Sequence, residues 1–165
     1  MKSIIYSVLL LLFVVGAGCG SSKKVADQAS TAASPYFGTW ALDGSPNSTI
    51  QFLASGDVVI SQGDLMTNLN RFQNTSRTRY MTRLKNEGSF TIAGDQLTLH
   101  VMADWTGRGT GATRAADKSV ESTIVFAIKD VSPGGFTLEK VSMSQPDGGN
   151  MNADEALSLK LVKKM

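Results

Sequence analysis

Few residues in this chain have the type and spacing that chemistry demands. His100 is the single histidine, and Asp104 follows four positions later. In an extended segment that spacing puts both on one side of a strand with Gln96 and Thr98, opposite Leu97, Leu99 and Val101. One imidazole and one carboxylate on a solvated face are too few donors for a metal centre, and they lack the partners of an acid–base pair. No Gly-x-Ser-x-Gly elbow occurs, and nothing local marks any two of the 14 acidic residues as a hydrolytic pair. Gly107-Arg108-Gly109-Thr110-Gly111 is rich in glycine, but it has no Lys-Ser/Thr ending and no helical pattern after it. It reads as a loop rather than a phosphate cradle. The expectation is a protein that is not an enzyme and uses neither cofactor nor metal.

Two other sets of residues carry chemistry of a different kind. Arg71, Arg77, Arg79 and Arg83 lie close together. If 77–83 is a strand, Arg77, Arg79 and Arg83 share a face with Met81, while Tyr80 and Leu84 take the other. That face is either a charged outer wall that resists edge pairing or an anion-recognising patch for lipid headgroups, glycan or an acidic partner. Cys19 is the only cysteine, so no disulfide forms within the chain. Before it come Lys2, an apolar run from Ile4 to Val15 broken only by Ser7, and then Gly16-Ala17-Gly18. The run is too short to cross about 30 Å of hydrocarbon as a helix. It fits the core of a signal peptide ahead of a small-residue cleavage site. A plain secretory signal that happens to contain a cysteine is the alternative.

A lone thiol directly after small residues at the end of an apolar run resembles the lipobox of bacterial lipoproteins. Gly16 stands where that family more often has an aliphatic residue. The resemblance implies diacylglycerol on the sulfur of Cys19, cleavage before it, and acylation of the new amino terminus, palmitate being one such chain. Each buried methylene contributes about 0.8 kcal/mol, so two or more chains anchor stably. Gly20, rather than Asp, follows the cysteine. The resemblance therefore implies transfer to the outer membrane of a diderm cell envelope. Residues 1–18 are the expected signal peptide and 19–35 the lipidated cysteine with a flexible tether. The tether is poor in large apolar side chains and ends at Pro35.

The remaining segment, 36–165, must supply the folded body. Its composition is ordinary: the whole chain is 42% hydrophobic with a net charge of +2. That balance excludes extensive disorder and leaves no basic excess for nucleic acid. Apolar residues recur with period two: Trp40 and Leu42, Ile50 and Phe52, Val58 and Ile60, Phe90 and Ile92, Leu97 to Val101, Ile124 to Ile128, and Leu157 to Leu161. Ala54 to Asp57, Ala93-Gly94-Asp95 and Pro133-Gly134-Gly135 are turn sequences between them. The pattern predicts an all-β fold, an antiparallel barrel of about eight strands or a sandwich. Two stretches depart from it. Residues 64–72 carry Leu65, Leu69 and Phe72 at helical spacing behind Asp64, which favours a short helix with Asp64 as its N-cap over an irregular strand through Met66, Asn68, Asn70 and Phe72. Residues 106–119 have no period and are expected to form a mobile loop.

The segment FGTWAL, with the hairpin EGSFTIAGDQLTLHV, resembles lipocalin-like bacterial lipoproteins, in which a Gly-x-Trp opens an up-and-down barrel. The resemblance implies that Trp40 closes one barrel end. In that family an arginine of the last strand often lies over the tryptophan; here the last strand offers Lys160, Lys163 and Lys164. Trp40, Phe52, Phe90, Leu99 and Phe126 are the expected lining, which suits either a filled core or a cavity for an apolar ligand. The functional expectation is a membrane-anchored lipoprotein binding a small apolar ligand or an envelope component. The alternative is a non-catalytic accessory subunit of an envelope complex.

Overall fold

The structure, a computed structural model, describes residues 34–73, 80–144 and 156–164. A single 3-10 turn at Ser34–Tyr36 leads into eight strands. These are β1 (Gly38–Leu42), β2 (Ser45–Phe52), β3 (Asp57–Ile60), β4 (Tyr80–Ala93), β5 (Gln96–Gly107), β6 (Lys118–Ser132), β7 (Gly135–Met143) and β8 (Ser158–Lys163). Each strand pairs antiparallel with the next, and β8 pairs back onto β1, with Trp40 opposite Lys163. Of the barrel and the sandwich that the alternation allows, the chain forms a closed up-and-down barrel, and closure leaves no sheet edge exposed.

Alternation decides which side chains enter the core. Along β5, Leu97, Leu99, Val101, Ala103 and Trp105 are buried, and the residues between them face outward. Together with Trp40, Phe52, Phe90, Phe126, Leu138, Leu161 and others from all eight strands, they form one contiguous apolar cluster. Phe52 and Phe90 meet edge to face with ring centroids 4.8 Å apart. The turn expected at Ala93-Gly94-Asp95 forms, with Ala93 paired to Gln96 and Gly94 at φ 61°, a conformation that favours glycine.

The chain order gives the barrel two unlike ends. The tight β2–β3, β4–β5 and β6–β7 turns lie at the end where β1 begins and β8 finishes. We call this the near end. At the far end lie the β1–β2 turn, the helix Asp64–Gln73, the connection spanning 108–117, and the strand ends where β3 finishes, β4 starts, β7 finishes and β8 starts.

The predicted helix is present as α1 (Asp64–Gln73). It covers part of the far end by burying Leu65, Met66 and Leu69 in the barrel cluster. Its start differs from expectation. The Thr67 N–H donates to the Gly63 carbonyl, so Asp64 is the first helical residue rather than the N-cap. The free Asp64 N–H is satisfied from outside the helix, by Ser48 Oγ of β2 at 2.8 Å. The Asp64 carboxylate accepts from the Ser45 hydroxyl. Sequence adjacency could not reveal a cap supplied by another strand.

The loop expected over 106–119 is a second correction. β5 continues to Gly107 and β6 begins at Lys118, and Trp105 pairs with Lys118 in register. The shortened connection is pinned rather than free. The Asp117 carboxylate accepts the Gly107 N–H at 2.9 Å, and one guanidinium nitrogen of Arg114 donates to both of its oxygens. These bonds hold its pKa below the usual carboxylate range, the Gly107 N–H contributing most. A stretch rich in glycine and alanine conceals such strands because it has no hydrophobic period to display.

Candidate functional site

At the near end, the first and last strands meet over an aromatic floor. Trp40 is 2% exposed on β1, and its indole N–H donates to the Tyr36 carbonyl at 2.6 Å. That bond ties the 3-10 turn to the barrel. Phe136 of β7 stands edge-on to both neighbouring rings, with centroids 5.1 Å from Tyr36 and 4.8 Å from Trp40. Across the seam, Lys163 of β8 holds its Nζ 5.7 Å from the centroid of the Trp40 ring. The backbone locks this arrangement, since the Lys163 N–H donates to Gly134 and the Lys164 N–H to Thr39.

The β6–β7 hairpin forms the facing wall. Its register shifts between Lys129 and Ser132, where Asp130 sits at φ 51°, an uncommon left-handed conformation for a residue with a side chain. The irregularity leaves Val131 58% exposed at the rim. Pro133 follows, and the Ser132 hydroxyl donates to the Gly135 carbonyl. Pro35, Tyr36, Trp40, Phe136, this hairpin and Lys163 line a half-open recess of about 400 Å³. That volume lies within the range of small-molecule sites. Lys163 is the one charged residue lining it, and it makes no ion pair among the described residues.

The residues expected to carry function fall in different places. Trp40 lines this pocket, whereas Phe52, Phe90, Leu99 and Phe126 are packed in the barrel cluster. Arg83 is exposed on the outer wall beside Met81, with Tyr80 and Leu84 facing inward as predicted, and it lies opposite Asp104 in register. Arg77 and Arg79 lie outside the described residues, as do Cys19 and the segment before it. His100 faces outward and meets Glu121 at 3.1 Å. Asp104 instead joins Lys85 and Ser119, and the hydrogen bond from Lys85 is the main cause of its lowered pKa. His100 and Asp104 therefore work apart.

No group of three or more His, Cys, Asp or Glu side chains able to hold a metal occurs among the described residues. No helix among them is long and apolar enough to cross a membrane.

Sequence reasoning missed Tyr36, Val131, Phe136 and Lys163 as members of one site. The available signal was the Pro-Tyr pair just ahead of Gly-x-Trp and the Pro-Gly-Gly-Phe turn. Only strand register brings them together. No family model, no curated protein and no solved structure matches this chain.

Proposed function

We propose that this chain is a bacterial lipoprotein of the cell envelope, carrying a lipocalin-like barrel that binds rather than catalyses. Diacylglycerol on Cys19 anchors it, in the outer membrane of a diderm cell, and residues 19–35 hold the barrel off the headgroups. The barrel domain binds a small apolar molecule or an envelope component at its near end. The observation that carries the binding reading is the aromatic pocket roofed by Lys163 at the rim from which the chain leads back towards Cys19. Outside that pocket, the exposed large apolar side chains among the described residues, Met81, Met102 and Val141, lie on separate strands. This supports ligand binding over docking as an accessory subunit, which calls for a contiguous patch.

Mass analysis of the amino-terminal peptide from protein made in a diderm bacterium tests the anchor. The expected peptide begins at Cys19 and carries a thioether-linked diacylglycerol with an acylated amine. A chain that starts elsewhere, or bears an unmodified Cys19, ends the lipoprotein reading.

A further inference from the structure

We infer that the near-end pocket is a binding site for an anionic amphiphile, a carboxylate or phosphate head joined to a short apolar body. Its site is the one that the binding reading above rests on; the inference adds the class of ligand. Three observations select that class. Apart from Lys163 and Ser132, whose hydroxyl donates to the Gly135 carbonyl, the walls are rings and hydrocarbon, so the body of the ligand must be apolar. The lining holds one full charge, the Lys163 ammonium, and no acidic residue. That ammonium has the Trp40 face beneath it and no ion pair among the described residues, which leaves its outward hydrogens for an acceptor.

A cation would be repelled at this mouth, and a neutral ligand would bury hydrocarbon but make no use of the one charge there. An anionic head placed on Lys163 satisfies it, and the attached chain then runs down over Trp40, Phe136 and Tyr36. The pocket also opens at the rim where Pro35 begins the path to Cys19. A tether of that length spans roughly 20–25 Å as a coil. The site is thus held within reach of the lipid surface, where amphiphiles with this chemistry concentrate. The ligand is either a free fatty-acid-like molecule or the head and upper chain of a bilayer lipid.

Octanoate and octanol, titrated calorimetrically into the full chain held in neutral detergent, separate charge from hydrocarbon. Octanoate is expected to bind more tightly. Lys163→Met should weaken octanoate about tenfold and leave octanol within about twofold. Val131→Asp, a rim change at an exposed position, should weaken octanoate by repulsion while the circular dichroism spectrum stays that of the parent. No binding of octanoate, equal binding of the two probes, or a Lys163→Met variant that holds octanoate as tightly as the parent would each overturn the inference. Vesicles of brominated phosphatidylglycerol then distinguish the sources. Tryptophan quenching that Lys163→Met abolishes identifies a bilayer lipid, and octanoate binding without quenching identifies a free molecule. An unmodified Cys19 in a chain that still binds octanoate removes the anchor and leaves the site standing.

Discussion

Lys163, on the last strand, lies opposite Trp40, on the first, and its ammonium sits over the indole face at the barrel seam. Sequence alone offered three lysines in that strand; register selects the one that roofs the tryptophan. Trp40 is buried and touches Phe136, whereas Lys163 is exposed, so the two halves of the pair contribute unequally. Trp40→Ala should destabilise by about 3–5 kcal/mol, the cost of emptying a large core site. Lys163→Ala should lose only about 0.5–1 kcal/mol. Urea unfolding midpoints compare them, and equal losses would refute the ranking.

Gly88 and Gly134 make a contrasting pair. A Cβ at Gly88 would meet the His100 carbonyl oxygen at 2.2 Å, where β4 bulges against β5. Gly134 has open space and an ordinary backbone conformation. Gly88→Ala should therefore cost about 1–3 kcal/mol as the strands shift apart. Gly134→Ala should stabilise by about 0.4–1 kcal/mol by restricting the unfolded chain. Thermal melts of the two variants are expected to move in opposite directions.

Ser122 is fully buried opposite Val101, and its hydroxyl has no hydrogen-bond partner among the described residues; the indole N–H of Trp105 likewise has none among them. Removing an unpaired buried polar atom relieves a desolvation cost. Ser122→Ala should leave stability unchanged or raise it by up to about 1 kcal/mol. A clear fall in the unfolding midpoint would reveal a bound partner for that hydroxyl.

Asp43, in the β1–β2 turn, accepts a hydrogen bond from Lys160 of β8 at 2.9 Å, and this bond and its charge hold the Asp43 carboxyl below its usual range. The same contact raises the pKa of Lys160. The carboxylate contribution is complete above the unfolded value of about 3.9 and is lost as pH falls through the lower folded value. The lysine contribution is complete below about 10.4 and is lost as pH rises through the higher folded value. Asp104 and Asp117 act in the same acid-side sense. All are solvent-exposed, so the effects should be small. Thermal midpoints between pH 2 and 7 should fall less steeply for Asp43→Asn than for the parent.

Much of the barrel is written in its alternation, because each strand has one face in the core and one in water. Ile50, Phe52, Phe90, Leu97 and Phe126 all follow that rule. The rule fails where residues on both faces are small or polar. Ser45 to Ser48 extend β2 without an apolar signal, and Lys118 to Thr123 extend β6 ahead of the alternation that starts at Ile124, with Val120 their only large apolar residue. The pocket was less legible still. Tyr36, Phe136 and Lys163 are brought together by the closure of β8 onto β1, a contact between distant parts of the chain. Local spacing carries no information about it.

The seam has one more consequence. Residues 34 and 164 lie just outside β1 and β8, neighbouring strands that begin and finish at the same rim, while the connection spanning 108–117 turns at the opposite mouth. A short linker joining those two residues, with a new start cut between 108 and 117, would preserve every ladder of the barrel. The body should tolerate circular permutation there.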